Sequence, residues 1–275
     1  MATGPHTPTP PRPGVLRDLL DGVTLLLRGF GRYWRSPRLV VLGTIPALLA
    51  LVLVLAALGA LFCFLSDLTV LVTWFAEDWS AAARATARAI AGVALVGVAL
   101  LLTAVTYTAL TLVIGDPFYE VISKRIEEGV GGAPPELDVP WYVTLRWNLV
   151  DSLRLLALSV SISVPLFFAG FLPLLGQTVV PALGAVVGGW LLAVELTGVP
   201  FNRRGLRLAD RRRLLRANRA LAIGFGVPVF LLLLIPLAGV IAVPGAVAGS
   251  TLLTRRLLGQ PLAARADSGA AGTRR

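Results

Sequence analysis

Apolar residues along this chain fall into segments of three different lengths. The first segment runs from Val15 to Trp34, where apolar positions recur every three or four residues opposite a charged face. That spacing predicts an amphipathic helix lying at a membrane surface. The other segments are charge-free runs, two of intermediate length and two that are longer.

The two intermediate runs predict two transmembrane helices. They cover residues 39–66 and 89–115, which are 28 and 27 residues long. At about 1.5 Å per residue each helix would be about 40 Å long, enough to cross a hydrocarbon core of about 30 Å with some tilt. The segment between them, 67–88, carries charged residues and the aromatic pair Trp74 and Trp79, which suits a membrane interface.

The two longer runs, 155–194 and 220–254, predict helical hairpins. Prolines and glycines interrupt both, which leaves halves of about 15–18 residues, or about 22–27 Å as helices. Because such halves are shorter than the hydrocarbon core, we expect V-shaped hairpins that enter the bilayer and return on the same side. Two tightly packed hairpins of full-length spans are the alternative.

Composition and charge support this membrane assignment. Of the 275 residues 56% are apolar and 15% charged, with a mean hydropathy of +0.80, more apolar than a soluble domain of this size. There are 25 basic residues against 15 acidic ones. If both hairpins return, Arg84 and Arg88 are the only basic residues on the outer side of the membrane, so the positive-inside rule predicts that both termini are cytoplasmic.

The composition also argues against an enzyme. Cys63 and His6 are the single residues of their types, so a disulfide framework and a Cys/His zinc site are both excluded. Nucleotide-binding and hydrolase motifs are absent, and the spans contain no paired carboxylates. We therefore expect no catalytic residues, no metal and no cofactor. Residues 1–14 and 260–275 are predicted to be a disordered leader and a disordered basic tail, flanking a single membrane domain over 15–259.

A dense group of arginines between the hairpins has three possible explanations. Anchoring to anionic lipid headgroups is the simplest, and attraction of an anionic solute is the second. Nucleic-acid binding is disfavoured because no stacking aromatic residues are interleaved with the arginines. The group consists of Arg203, Arg204, Arg207, Arg211, Arg212, Arg213, Arg216 and Arg219.

Arg38, which follows a row of arginines that includes Arg35, is a candidate substrate-binding residue. Ser36 and Pro37 should interrupt the first helix, which would place Arg38 in the first turn of the first span. Free backbone N–H groups and the positive end of the helix dipole favour an anion there, and a guanidinium suits a tetrahedral oxyanion. Snorkelling of Arg38 to headgroup phosphates is the alternative.

The sequence from Gly115 to Glu120 predicts the start of a cytoplasmic helix. Asp116 is a suitable N-cap, and Pro117 fits the first helical position. Gly129 or Gly131 can end that helix. We therefore expect a break between the second span and this helix.

The order of these elements and four patches resemble the CysZ-type sulfate permeases and the wider etoposide-induced protein family. The patches cover 114–120, 171–181, 200–202 with the arginines that follow, and 244–251; the P-x-x-G-Q-T-x-x-P pattern is the most specific. The positions that match family motifs are Gly115, Asp116, Pro117, Phe118, Pro173, Gly176, Gln177, Thr178 and Pro181.

The resemblance implies an all-α integral membrane protein with two long transmembrane helices and two pairs of hemi-penetrating helices. It also implies oligomers, and sulfate entry for cysteine synthesis without an ATPase partner. In that family a Gly-hydrophobic-Arg-Arg motif before the first long helix is associated with sulfate. This chain has Ser36-Pro37-Arg38-Leu39 there, so Arg38 alone is carried over, with Arg35 as a substitute.

The leading functional hypothesis is therefore a permease that passes an oxyanion, above all sulfate, into the cytoplasm. A non-transporting membrane scaffold that binds lipids or partner proteins is the alternative. An intramembrane enzyme is disfavoured because the spans lack catalytic groups.

Overall fold

The described part of the chain is built from helices. The computed structural model describes residues 14–134, 141–173, 175–235 and 238–263, and every regular element in these ranges is helical. The α-helices are α1 (Val15–Arg35), α2 (Pro37–Cys63), α3 (Leu65–Val72), α4 (Ala81–Glu128), α5 (Trp141–Ala169), α6 (Leu175–Leu196), α7 (Gly198–Asn202), α8 (Leu208–Ala217), α9 (Arg219–Leu233) and α10 (Ala238–Leu257). The predicted all-α class is confirmed.

Several of these helices are long and apolar enough to cross a membrane. They are α2, α4, the segment 149–169 of α5, and the segment 176–202 that starts in α6. The predicted spans 39–66 and 89–115 therefore correspond to α2 and α4, although α4 is much longer than predicted, at 48 residues. The chain is an all-α integral membrane protein.

The predicted helix start at Asp116 and Pro117 is wrong. Both residues lie inside α4, which continues without a break to Glu128. Pro117 cannot donate to the carbonyl of Val113, but one missing hydrogen bond does not end a helix whose neighbouring turns are intact. Glycine at position 115 makes room for the ring of Tyr119, because a Cβ there would overlap it.

Glycines end α4, as predicted. The helix stops at Glu128, and Gly131 and Gly132 adopt φ values of 124° and 96°. A side chain would be strained in this left-handed region, so these two positions favour glycine. The amide of Gly132 donates to the carbonyl of Glu127 at 3.0 Å, which closes the last turn.

The chain divides into two compact units. One comprises residues 38–119 and the other residues 1–37 with 120–275. In the first unit, the segment before α4 is shaped by Arg84, whose guanidinium donates to the carbonyls of Glu77 and Trp79. The ring of Phe75 lies edge-on to Trp79, with 5.7 Å between the ring centroids. The segment that was predicted to lie at the interface thus contains a turn that these contacts hold.

The second unit is assembled through close helix crossings at glycines. Helix α1 packs on α9 and α10, and α9 also packs on α6. A Cβ at Gly29 would overlap the backbone of Gly249 on α10, and a Cβ at Gly226 would overlap the backbone of Gly189 on α6. Small residues at such contacts let helix backbones approach closely, as is common between membrane helices.

Helix α1 is the predicted amphipathic helix, but its buried stripe lies against protein. Leu25, Leu26 and Tyr33 are buried where α1 packs on α9 and α10. Other apolar residues of the helix, such as Leu16 and Leu20, are exposed. The buried stripe therefore completes the core of this unit, and the position of α1 at the membrane surface stays a prediction.

The two predicted hairpins differ in the length of their arms. The first hairpin turns at 170–173, between α5 of 29 residues and α6 of 22 residues. Its arms are longer than the predicted halves, and α6 at about 33 Å matches a hydrocarbon core. In the second hairpin α9 has 15 residues, or about 22 Å, and is shorter than the core. Re-entry of both hairpins stays a prediction, and the short length of α9 supports it for the second hairpin.

The predicted disordered leader and tail lie mostly outside the described residues. The predicted leader, except for Gly14, and residues 264–275 of the predicted tail fall there. Residues 260–263 are described, and their polar groups accept hydrogen bonds from three arginines. The donors are Arg204 to Gln260, Arg255 to Pro261 and Arg32 to Leu262.

Candidate functional site

Arg35 and Arg38 lie on opposite sides of a helix break, as predicted. Arg35 is in the last turn of α1, Ser36 is extended with φ −112° and ψ 102°, and α2 starts at Pro37. Arg38 is therefore in the first turn of the first span, where the backbone N–H groups have no helical partner. Both arginine side chains are exposed, so each can meet an anion from outside the protein.

Arg35 belongs to a row of cations on α1. Repulsion from Arg28 and Arg35, together with burial as the larger cause, lowers the pKa of Arg32. The side chain of Arg32 donates to the carbonyl of Leu262 at 2.9 Å, which engages part of its guanidinium. Arg28 and Arg35 are both exposed, so the end of α1 presents positive charge next to the break.

The P-x-x-G-Q-T-x-x-P pattern forms the turn of the first hairpin. Pro173 lies between α5 and α6, and the amide of Gly176 donates to the carbonyl of Leu172 at 2.8 Å. A Cβ at Gly176 would overlap the carbonyl of Gly170, so the turn requires glycine. Gln177 and Thr178 are exposed at the start of α6, and Pro181 lies inside that helix. This patch shapes a turn; the patch at 115–118, including Phe118, lies within α4.

A buried ion cluster that the sequence reasoning missed lies beside the end of α4. Glu127 is fully buried, and its two carboxylate oxygens are 3.0 Å from Arg203 and 2.6 Å from Arg204. Arg203 also donates to the carbonyl of Glu120 at 3.0 Å, and Arg204 to that of Pro200 at 2.8 Å. The sequence analysis predicted a cytoplasmic helix here and gave lipid anchoring as the simplest of three explanations for the arginines, so it did not predict this pairing.

Arg255 extends this cluster from α10. It is only 3% exposed and donates to the carbonyls of Val130, Gly132 and Pro261 at 2.8–3.0 Å. Burial lowers the pKa of Arg255, while the nearby carboxylate of Glu127 opposes that shift. We call Glu127, Arg203, Arg204 and Arg255 the buried cluster. Its signal in the sequence was the Pro200–Asn202 patch that precedes the two arginines.

A second carboxylate pairs with the next arginine of the loop. Asp151 on α5 accepts from the Arg207 guanidinium at 3.3 and 3.5 Å and from the amide of Leu208 at 3.3 Å. The guanidinium carbon of Arg207 lies 4.7 Å from the centre of the Trp147 ring, which is a cation–π distance. Asp151 and Trp147 thus fix Arg207 at the start of α8.

The arginines of the loop therefore do not form one solvated face. Arg203, Arg204 and Arg211 point inward; Arg211 is 5% exposed, and a Cβ at Gly198 would overlap its guanidinium. Burial lowers the pKa of Arg211, and the charges of Glu195 and Asp151 oppose the shift. The exposed arginines of the loop are Arg213, Arg216 and Arg219.

The family model described as "Sulfate transporter CysZ/Etoposide-induced protein 2.4" matches residues 25–244. The chain belongs to this family. The matched range contains the helix break at Ser36, the first hairpin, the second hairpin as far as Pro244 in α10, and every arginine of the 203–219 loop. The predicted family resemblance is confirmed.

Individual relatives match over a shorter range. The chain is 29% identical over 148 residues to the Sulfate transporter CysZ of Vibrio parahaemolyticus, which covers 51% of this chain and 58% of that protein. It is 29% identical over 143 residues to the Sulfate transporter CysZ of Pseudomonas fluorescens, covering 51% and 57%. The chain thus matches a little over half the length of these relatives, which are named as transporters.

Proposed function

We propose that this chain is a permease that passes sulfate or a similar oxyanion through the membrane into the cytoplasm, for sulfur assimilation. Membership of the family described as sulfate transporters carries this proposal. The relatives from Vibrio and Pseudomonas bear the same transporter name. The proposal includes that the chain acts as a transporter and not as an enzyme, and that it needs no cofactor.

The end of α1 and the first turn of α2 support an anion as the solute. Arg35 and Arg38 are exposed there, and Arg38 lies where the positive end of the α2 dipole adds to its charge. We propose Arg38 as the main substrate-binding residue, with Arg35 beside it in the sequence. Planar guanidinium groups bind tetrahedral oxyanions through paired hydrogen bonds.

The proposal also places the chain in the plasma membrane with both termini in the cytoplasm. The charge distribution supports this orientation, because 23 of the 25 basic residues lie outside the 67–88 segment. The exposed arginines Arg213, Arg216 and Arg219 would then face anionic headgroups of the cytoplasmic leaflet. A homo-oligomer is part of the same proposal, on the basis of the family resemblance alone.

Uptake of radiolabelled sulfate tests the function directly. The chain is expressed in a bacterial strain that lacks its sulfate transporters, and uptake is compared with that of an empty vector. We expect uptake that depends on expression and is competed by unlabelled sulfate. Expression at the membrane without uptake above the vector would contradict the proposal and favour the non-transporting scaffold.

Arg38→Ala tests the proposed binding residue. The variant removes one charge-assisted contact to the anion, so we expect sulfate affinity to fall about tenfold or more. Arg17→Ala is the matched control, because Arg17 is an exposed arginine at the other end of α1. Equal affinity in wild type and Arg38→Ala would remove Arg38 from the site.

Thiol labelling tests the orientation. In a Cys63→Ser background, a cysteine is introduced at Ser80, before α4, or at Ala217, at the end of α8; both positions are exposed. We expect a membrane-impermeant thiol reagent added to intact cells to label position 80 and not position 217. Labelling of position 217 from outside would contradict the proposed orientation.

A further inference from the structure

A cavity lies between α5 and the start of α8, within the unit formed by residues 1–37 and 120–275. Its volume is about 400 Å³, which falls in the range of small-ligand sites. The cavity is lined by Arg146, Trp147, Val150, Asp151, Arg154, Arg207 and Ala209. Five of these lie on α5 and are linked by spacings of three or four positions, so the helix presents them on one face.

The charges around this cavity are not balanced. Three guanidinium groups face one carboxylate, and both oxygens of Asp151 are already engaged by Arg207 and by the amide of Leu208. Arg146 and Arg154 make no ion pair with any residue that the structure describes. The residues that line the cavity therefore have a net formal charge of two positive units.

We propose that this cavity binds a tetrahedral oxyanion, either the phosphate of an anionic lipid headgroup or a free sulfate or phosphate ion. Arg146 and Arg154 contact the anion, and Arg207 supplies a third charge from a fixed position. Asp151 and the Trp147 ring act as positioning residues, because they hold the Arg207 side chain between them. The site is distinct from Arg35 and Arg38, which do not line the cavity.

Fixing Arg207 in advance favours binding. An arginine side chain loses much rotamer freedom when it closes on a ligand, and Asp151 and Trp147 have already imposed that loss in the folded protein. The indole also gives the cavity an amphipathic wall, which suits a lipid headgroup with its glycerol as well as a bare anion. This inference does not depend on the chain's being a permease.

The test uses the full chain in two environments. In the first, the protein is purified in a non-ionic detergent and titrated calorimetrically with sodium sulfate and sodium phosphate at low ionic strength. In the second, it is placed in nanodiscs of phosphatidylcholine with increasing phosphatidylglycerol, and retained lipid is counted by native mass spectrometry. All proteins carry Arg38→Ala, so that the proposed transport site does not contribute.

The decisive variant is Arg146→Gln with Arg154→Gln, and its matched control is Arg213→Gln with Arg216→Gln. Both variants remove two exposed positive charges from the same unit, so their thermal midpoints should match that of the parent protein. We expect the first to lower anion affinity, or retention of phosphatidylglycerol, about tenfold or more, and the control to change it by less than about twofold.

The two environments identify the occupant. An effect of the decisive variant on the titration assigns a free oxyanion, and an effect confined to the nanodiscs assigns a lipid phosphate. The proposal is overturned if the variant changes neither measurement, or if the control variant lowers both as much. Loss of sulfate uptake with intact binding here would count against the permease alone.

Discussion

Two carboxylates in the same unit are each paired with arginines, yet their surroundings differ. Glu127 is fully buried and Arg203 is 4% exposed, and each arginine of that cluster donates to backbone carbonyls as well as lying near the carboxylate. Asp151 is 9% exposed, its partner Arg207 is 35% exposed, and a cavity lies beside them. The first arrangement is buried, and the second borders a cavity.

The difference lies in where the remaining arginine donors go. In the buried cluster, Arg203, Arg204 and Arg255 donate to carbonyls of the segments around α4, α7 and α10, so the cluster ties these segments together. Beside Asp151, the added arginines Arg146 and Arg154 have no such acceptors among the described residues. A surplus of positive charge thus stabilises the fold in one place and leaves anion-binding capacity in the other.

Glu127→Gln should have the largest effect. The change leaves two buried guanidinium groups without their counter-charge, which costs about 3–5 kcal/mol when one partner of a buried pair is removed. We expect a protein that is poorly recovered in detergent, with a sharply lowered thermal midpoint by size-exclusion fluorescence.

The neighbouring residue provides the control for that substitution. Glu128 is exposed, so Glu128→Gln removes the same charge from the same turn of α4 without emptying the cluster. We expect its thermal midpoint to stay close to that of the wild type, since a surface substitution changes the free energy of unfolding by no more than about 0.5 kcal/mol. Equal losses in both variants would show that net charge, and not the buried pairing, controls stability.

Gly29→Ala should have the next largest effect on stability, because it disturbs the packing of α1 on α10, the helix that carries Arg255. The added Cβ would overlap the backbone of Gly249, so α1 and α10 must separate, at a cost of about 1–3 kcal/mol. Gly31→Ala is the control, since a Cβ there meets nothing within 4 Å. That change should be neutral or slightly stabilising. A thermal midpoint for Gly29→Ala equal to that of Gly31→Ala would contradict the close crossing.

Local sequence signals predicted the elements but not the clusters. The recurrence of apolar residues every three or four positions predicted α1, and Ser36-Pro37 predicted the break before α2. Both signals act within a few residues of the chain. The Asp116-Pro117 signal failed because the turns on both sides of Pro117 keep α4 helical. A cap signal is a local preference of about 1 kcal/mol, and the surrounding helix outweighs it.

The pairing of Glu127 with Arg203 joins residues 76 positions apart, and that of Asp151 with Arg207 joins residues 56 positions apart. Spacing along one helix contains no information about such pairs, which depend on how α5, α7 and α8 are placed. The candidate arginines at the α1–α2 break were predictable because the break itself is local. The cavity beside Asp151 was not.

Asp151→Asn should have the smallest effect on stability and the most informative effect on binding. The pair with Arg207 is partly exposed, so its loss should cost about 1 kcal/mol or less, since solvent screens the interaction. The amide oxygen of asparagine can still accept from the Leu208 amide, which preserves the start of α8. Without the carboxylate, Arg207 loses the partner that fixes its side chain, so the preorganisation that favours binding is weakened and anion affinity should fall severalfold. Calorimetric titration with sulfate and phosphate, or lipid retention in nanodiscs, measures the change. A rise in affinity, or an unchanged affinity, would contradict the positioning role of Asp151.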